Sequence, residues 1–282
     1  MNDHPARFET HLDIDRDDAG AGAVSLLAAQ TGLSKQRIKK IMQQGAVWLE
    51  RDGHTRHLRR ARAVLRRGDT LHLYYDARIL DSETTPPELI ADEGAYSVWY
   101  KPAGMLSQGS RWGDHCALPR WVEQHLLPQR PAFLVHRLDR AANGLMLLAH
   151  RKRTAASLSA LFRERAIDKR YRVIVHGEFP PQGPITLDAR LDGKTAISHM
   201  TRLAYDPEQD RSLLGVTIET GRKHQIRRHL ASAGFAVVGD RWYGKGKETE
   251  DLQLTAWALG FRCPVSGQHR EFALAEPYLP RL

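Results

Sequence analysis

A carboxylate between two arginines, followed by an apolar run, is the feature that most restricts how this chain folds. Asp139 lies between Arg137 and Arg140, and residues 145–149 read Leu-Met-Leu-Leu-Ala. The run predicts a buried strand, and the Asn-Gly pair before it predicts a turn, because both residues tolerate positive φ. The neighbouring arginines favour the ionised carboxylate. The local pattern therefore predicts a charged group at the edge of a core, as either a structural ion pair or a catalytic acid.

Length and composition favour a globular protein of the reducing cytoplasm. The 282 residues suffice for one large domain, or for a catalytic domain with a small appendage. A hydrophobic fraction of 41% supports a packed core. No apolar run has the length of a membrane span, and Cys116 and Cys263 have neither pairing nor zinc-type spacing. We therefore expect a cytoplasmic protein without membrane contact or bound metal.

Positive charge is concentrated near the N-terminus. The net charge of the chain is +9, and residues 23–76 hold eleven Lys and Arg against four Asp and Glu, a net +7. Such a segment suits a polyanion, although charge runs are also common on ordinary solvated faces. Within it, Ser34 predicts the cap of a helix over 35–44 with one apolar side. The lysines that point away from that side are Lys35, Lys39 and Lys40.

Turn and linker signals divide the chain into segments. Residues 1–22 are polar and rich in Gly and Ala towards their end, and we expect them to be flexible. Residues 23–76 combine two short helices, a Gly stop and strands around a basic loop. Paired prolines favour extended chain, so 77–92 is predicted to be a linker. Residues 93–282 alternate strand and helix patterns and form the second domain.

Several motifs stand in a fixed order in the second domain. They are KPAGM at 101–105, His-Arg-Leu-Asp-Arg at 136–140, KRY at 169–171, TGRKHQIR at 220–227 and GDRWYG at 239–244. Together they resemble the RluA-type family of RNA pseudouridine synthases over about residues 95–275. The histidine before Arg-Leu-Asp favours this type over the sister RsuA type, which typically has Gly there. The basic segment 23–76 in turn resembles the RNA-binding domain of ribosomal protein S-four, with an ordinary α+β appendage as the alternative.

The resemblance implies an α+β fold and a cofactor-free reaction. The expected catalytic domain has a mixed, largely antiparallel sheet with flanking helices, joined to the small basic α+β domain. Family members detach uracil from its ribose and reattach it through carbon. Since this needs neither redox change nor energy input, no cofactor is expected. The expected partner is RNA, with large-subunit ribosomal RNA favoured and transfer RNA as the alternative, and we expect a monomer because a large RNA leaves little need for a dimer interface.

The resemblance also assigns residues. Asp139 matches the catalytic aspartate, Tyr171 the active-site tyrosine, and Arg222 the arginine that pairs with the aspartate. Arg140 matches the arginine that can occupy the space left by a flipped base. The remaining candidates for substrate contact are His136, Arg137, Ile226 and the three lysines of the N-terminal helix.

Two other classes of function are less consistent with the motifs. A non-catalytic RNA-binding or ribosome-assembly factor could share the fold, but the retained aspartate, arginine and tyrosine disfavour it. A glycosidase-like hydrolase needs two carboxylates around one glycosidic bond, and no second acid lies near Asp139 in sequence. The chain departs from the family at 141–143, where Ala-Ala-Asn replaces residues that are mostly polar and hydroxyl-bearing.

Overall fold

A computed structural model describes residues 5–244 and 249–282, which form two compact units. Of these described residues, the first unit holds 5–84 together with 108–124, and the second holds 85–107, 125–244 and 249–282. Segment 108–124 was expected in the catalytic domain. It belongs instead to the first unit, where Arg59 forms an ion pair with Asp114 and the Asp114 N–H donates to the Gln44 carbonyl oxygen at 2.8 Å.

The first unit is a four-stranded sheet with helices. Its elements are β1 (Arg7–Asp13), α1 (Ala23–Thr31), α2 (Lys35–Gln43), β2 (Val47–Arg51), β3 (His54–His57), β4 (Thr70–Asp76), α3 (Ala77–Leu80) and α4 (Leu118–His125). The antiparallel strands are ordered β1-β4-β2-β3. Gly32 ends α1 at a φ of 70°, and the Ser34 hydroxyl accepts the Arg37 N–H at the start of α2, so both helix boundaries read from the sequence are confirmed.

The prediction that residues 1–22 form a flexible lead-in was wrong for the described part. Residues Arg7–Asp13 pair with β4 along their whole length, and Phe8 stacks on Tyr75. Alternate residues of β1 are half-buried, so one face of this strand packs while the other meets solvent. The predicted linker 77–92 likewise contains α3 and a strand at its end.

The second unit is built on one large sheet. Its elements are β5 (Glu88–Asp92), β6 (Tyr96–Lys101), β7 (Phe133–Leu134), β8 (Asn143–Ala149), α5 (Lys152–Arg163), β9 (Ile167–His176), β10 (Ile185–Leu187), β11 (Ser198–Asp206), β12 (Arg211–Ile218), α6 (Gln225–Ser232), β13 (Leu254–Arg262), β14 (His269–Ala273) and a 3-10 turn (Glu276–Tyr278). The main strand order is β10-β11-β12-β9-β13-β8-β6-β5. All pairings are antiparallel except β8 with β13, which confirms the mixed, largely antiparallel sheet. Within the described ranges, no helix has the length and apolarity needed to cross a bilayer.

Strand β8 is the predicted apolar run, and it is buried in the middle of this sheet. Gly144 at its start has a φ of 127° and lies opposite Ala256 of β13. A Cβ at this position would fall 2.5 Å from the Ala256 nitrogen and closer still to its carbonyl oxygen. Only glycine fits such a close approach of two backbones, so β13 fixes the point at which the loop carrying Asp139 enters the sheet.

Candidate active site

The loop between β7 and β8 carries Asp139 and is fastened to the KPAGM segment. The Ser107 hydroxyl accepts the Leu138 N–H at 3.0 Å and donates to the Leu138 carbonyl oxygen at 2.7 Å. On the other side of the aspartate, Arg140 donates from Nε to the Gly104 carbonyl oxygen at 3.0 Å, and the Gly104 N–H donates back to the Arg140 carbonyl oxygen at 2.8 Å. The residue on each side of Asp139 is thus held by two hydrogen bonds.

Lys101 holds the same loop from inside the protein. Its side chain is fully buried, and Nζ donates to the carbonyl oxygens of Ala142 at 2.6 Å, Pro102 at 2.9 Å, Met105 at 3.1 Å and Arg140 at 3.4 Å. Burial lowers the pKa of Lys101 to about 7, against the attraction of Asp139. The amino group therefore points into the core and contacts neither phosphate nor solvent.

Asp139 forms its ion pair with Arg227 of α6. Arg227 Nη1 donates to Asp139 Oδ2 at 3.1 Å, while Nε and Nη2 donate to the two carboxylate oxygens of Asp240 at 2.8 and 2.7 Å. The side chain of Arg227 is only 6% exposed and that of Asp240 is completely buried. Burial acts to lower the pKa of Arg227, but the bonds to both aspartates outweigh it and the pKa is raised. One guanidinium therefore bridges two carboxylates.

Arg222 does not occupy this position, so the predicted pairing of Arg222 with Asp139 was wrong. Its Nε donates to the Thr195 carbonyl oxygen at 2.9 Å, and its backbone N–H donates to Gln225 Oε1 at 3.0 Å. Arg222 precedes α6, which begins at Gln225, whereas Arg227 lies inside the helix beside the buried Ile226 and Leu230. A charged residue on the buried side of a helix requires a carboxylate partner, and this was the signal in the sequence for Arg227.

His224 faces the other oxygen of the aspartate. Its Nε2 lies 3.7 Å from Asp139 Oδ1, and its Nδ1 is 3.0 Å from the hydroxyl of Tyr243. Burial and the neighbouring Arg227 lower the pKa of His224 despite the attraction of Asp139, which favours the neutral ring. The residue has a φ of 53°, an uncommon left-handed conformation for histidine, at the cap of α6. Backbone strain of this kind is concentrated at functional sites.

A narrow cavity of about 100 Å³ brings five of the ten predicted site residues together. The predicted residues on its wall are Asp139, Tyr171, Arg222, Arg137 and Ile226. Leu138, Ile218 and Leu254 add apolar surface. Burial and the nearby Asp139 raise the pKa of Tyr171 above its usual range, so its hydroxyl stays protonated. The cavity therefore combines a carboxylate, an aromatic ring and apolar walls, which suits a flat polar base.

Two larger recesses open on either side of the narrow cavity. One, of about 630 Å³, shares Asp139 and contains Arg140, Arg241 and Trp242. The other, of about 490 Å³, shares Tyr171 and has a strongly basic wall. The cations on that wall are Arg137, Arg163, Arg165, Lys169 and Arg222. Positive charge on both sides of the carboxylate suits the phosphates of a nucleic acid strand.

His136 supports the loop from its N-terminal side. Its Nε2 accepts the Leu147 N–H at 2.9 Å, and its ring stacks on Phe162 at a centroid distance of 4.2 Å. Burial and Lys169 lower the pKa of His136 to about 3, which keeps the ring neutral. A neutral acceptor bound to the backbone fixes the loop, and the ring does not change its protonation state near neutral pH.

The three predicted lysines of α2 belong to the first unit. Lys35, Lys39 and Lys40 are exposed, and the latter two line a shallow recess of about 540 Å³ together with Arg37. Ile38, Ile41 and Met42 on the opposite side of the helix are buried in the core of that unit. The predicted separation of the apolar and basic sides of α2 is confirmed.

Comparisons with known proteins agree with this site. The family described as RNA pseudouridylate synthase matches residues 95–232. An uncharacterized RNA pseudouridine synthase of Aquifex aeolicus is 30% identical, with 89% of each chain covered. The ribosomal large subunit pseudouridine synthase D of Zymomonas mobilis is 29% identical, with 70% of this chain and 71% of that protein covered.

Solved structures of human proteins share the fold. Human RNA pseudouridylate synthase domain containing 1 superposes with a TM-score of 0.59 at 19% identity, over 71% of this chain and 88% of the other. Human RNA pseudouridylate synthase domain containing 4 gives 0.56 at 22% identity, over 69% and 89%. Fold and site thus define an isomerase that rearranges a nucleoside within RNA. The chain belongs to the RNA pseudouridine synthase family, and the RluA-type resemblance and the predicted fold class are confirmed.

Proposed function

We propose that this chain converts specific uridines of large-subunit ribosomal RNA to pseudouridine, with Asp139 as the catalytic carboxylate. The observation that carries the proposal is the position of Asp139, which is held by Arg227 at the wall of a cavity shared with Tyr171. The ribosomal target is supported by the Zymomonas mobilis relative, whose name specifies the large ribosomal subunit. The net charge of +7 over residues 23–76 is also in keeping with a structured, highly charged RNA.

The reaction needs one carboxylate and no external reagent. The N1–C1′ bond of uridine breaks, the uracil turns, and C5 bonds to C1′. The proton on C5 leaves to solvent and N1 takes up a proton from solvent, so the product is an isomer of the starting uridine. Asp139 Oδ2 accepts from Arg227, so we assign Oδ1 to the reacting ribose. An ionised oxygen there can act as a nucleophile at C1′ or as a base for the 2′-proton, and either role stabilises an electron-deficient sugar carbon.

The residues of the cavity wall retain the free uracil in this proposal. We assign one face of the base to the ring of Tyr171, whose protonated hydroxyl can donate to a base oxygen. Ile226 and Leu254 supply the apolar boundary. Extrusion of a base from RNA costs a few kcal/mol, which stacking and edge hydrogen bonds offset. Arg222 is a candidate for contact with the extruded nucleotide, since it shares this wall without pairing to Asp139.

The first unit has a separate role in this proposal. We assign Lys35, Lys39 and Lys40 to phosphate contacts, because they form an exposed row on α2. A monomer in the reducing cytoplasm is the corresponding state of the protein, and Cys116 and Cys263 are both free thiols. Replacement of all three lysines by glutamine should weaken binding to RNA and flatten its salt dependence; an unaltered salt dependence would remove this assignment.

Pseudouridine mapping in cells tests the function directly. Total RNA from cells lacking the protein is mapped after rescue with the wild type, with Asp139→Asn and with Asp192→Asn. Asp192 is a matched control, because it is an exposed aspartate paired with Arg228 outside the cavity. We expect a large-subunit site that is restored by the wild type and by Asp192→Asn only. Rescue by Asp139→Asn would refute the catalytic assignment of Asp139. A pseudouridine that is lost from transfer RNA instead would refute the ribosomal target. If no pseudouridine is lost in the deletion, the chain is better explained as a non-catalytic assembly factor.

A further inference from the structure

Trp242 is an exposed aromatic side chain beside the catalytic carboxylate. It is 68% exposed, whereas the other five tryptophans of the chain are buried or half-buried. Tryptophan carries a large apolar surface, so leaving it in water loses the free energy that burial would provide. A large aromatic side chain that is exposed at the mouth of a functional cavity therefore indicates a binding surface.

The position of Trp242 is fixed by the same residues that hold the catalytic ion pair. The buried Asp240 carboxylate accepts the backbone N–H of Trp242 at 3.0 Å and that of Tyr243 at 3.1 Å. The Arg227 guanidinium lies 5.6 Å from the centre of the indole, and the His224 ring meets the indole edge-on at 4.9 Å. The backbone of Trp242 is thus held by Asp240 and its indole is contacted on the inner side, which reduces the conformational freedom that binding would cost.

The recess around Trp242 has the chemistry of a nucleotide site. The recess has a volume of about 630 Å³, and its wall also includes two carboxylates, Asp139 and Asp251. Arg227 and two exposed arginines, Arg140 and Arg241, outnumber these acids. An aromatic face with adjacent guanidinium groups is the combination that binds unpaired nucleotides, because the ring stacks on a base while the cations contact phosphates. Under the proposed function the narrow cavity with Tyr171 takes the target base, so this recess is available to a different nucleotide.

Building on the proposed function, we propose that Trp242 stacks on an unpaired base next to the target uridine. Arg140 and Arg241 contact the phosphates that connect the two nucleotides. The enzyme would then select a uridine whose neighbour is also free to leave the helix, which makes Trp242 a specificity-determining residue. The competing explanation is that the indole only shields the Arg227–Asp139 pair from water.

Binding of two oligonucleotides of equal charge separates these explanations. The probes are a fluorescein-labelled uridine RNA of about nine nucleotides and an abasic RNA of the same length. Both are titrated into the full-length wild type, Trp242→Ala, Trp242→Phe and Val265→Ala at about 50 mM salt, where the phosphate contacts are strong. Val265 is a suitable control, because it is an exposed apolar residue (57%) that lines neither recess nor the narrow cavity.

Stacking on a base predicts a loss that depends on the presence of bases. Trp242→Ala should weaken binding of the uridine RNA by about 5- to 150-fold, while abasic RNA should bind all four proteins with similar affinity. Trp242→Phe should recover most of the loss, and Val265→Ala should match the wild type. A loss of equal size with both RNAs, no loss at all, or no detectable binding of the uridine RNA would overturn the proposal. Since the measurement is binding, its outcome is independent of whether the chain forms pseudouridine.

Discussion

Arg227 and Arg222 offer a direct test of which arginine controls the catalytic carboxylate. The two residues are five positions apart in one motif, and each can be replaced by lysine without loss of charge. Arg227 spreads three N–H groups over two carboxylates at 2.7 to 3.1 Å. A lysine ammonium is a compact point charge on a flexible stem and does not reproduce this fork. Arg222 contacts a neutral carbonyl oxygen, which a lysine can also reach in part.

The geometry sets the expected size of each effect. A hydrogen bond to a charged group contributes about 1.5–3 kcal/mol. If Arg227→Lys loses the bond to Asp139 in the transition state, the rate should fall by about 10- to 150-fold. Loss of the fork to the buried Asp240 should lower the free energy of unfolding by about 3 kcal/mol. The bond of Arg222 to a neutral acceptor contributes about 0.5–1.5 kcal/mol, so Arg222→Lys should lose about tenfold in rate or less.

Tritium release gives the rate without knowledge of the product's position. RNA labelled at C5 of uridine loses its label when C5 bonds to the ribose, so single-turnover release measures the chemistry. Circular dichroism at the assay temperature confirms that each variant is folded. If Arg222→Lys loses more activity than Arg227→Lys, with both proteins folded, then the ion pair of Asp139 with Arg227 is not the catalytic arrangement.

Two other buried groups give stability predictions. Lys101→Met removes the donor from the carbonyl oxygens of Pro102, Met105 and Ala142, while the Arg140 carbonyl oxygen keeps the Gly104 N–H. The free energy of unfolding should fall by about 3–5 kcal/mol in denaturant titrations; a change below about 1 kcal/mol would contradict the loop-anchoring role. The pKa of His136 is about 3 in the folded state, below the ordinary 6.5. Between pH 6.5 and pH 3 the unfolded chain therefore binds a proton at this histidine that the folded chain does not bind. As a result, the free energy of unfolding decreases as the pH falls below 6.5. The loss in the free energy of unfolding should reach about 2 kcal/mol at pH 5. His136→Gln retains an acceptor for the Leu147 N–H and should remove this part of the pH dependence. An identical pH profile for the wild type and His136→Gln would show that His136 is not neutral in the folded state.

Local signals in the sequence located most elements because their causes are local. The glycine after α1 and the serine before α2 act through their own backbone and side-chain geometry. The apolar run of β8 is buried on both faces, and its length and composition were sufficient to identify it. In contrast, β1 has only one packed face and depends on pairing with β4, about sixty residues further along the chain. Its short alternation was therefore too weak to separate from a polar tail.

The site was only partly predictable for a related reason. Asp139, Tyr171 and Ile226 are identified by motifs, and the structure brings them to one cavity. The choice between Arg222 and Arg227 depends on where α6 begins and which side of it is buried. At that boundary, Gln225 accepts the hydroxyl of Thr220 five residues before it and donates to Ser198 of β11, a contact that is distant in sequence. The anchoring role of Lys101 could not be predicted for the same reason, since nothing local distinguishes a buried lysine from a solvated one.

Asp240, the second carboxylate bound by Arg227, affects the electrostatic potential at the catalytic carboxylate of Asp139. If Arg227 paired with Asp139 alone, the two charges would cancel and the carboxylate would attract a positive sugar carbon weakly. Asp240, which is deeper and bound by two shorter contacts, already balances the guanidinium. The cluster of three side chains therefore carries a net charge of about −1 at the cavity wall, where the low dielectric strengthens its effect on a developing cation. Asp240 thus orients Arg227 and also leaves Asp139 with its negative charge, so Asp240→Asn should slow the reaction even where Arg227 keeps its position.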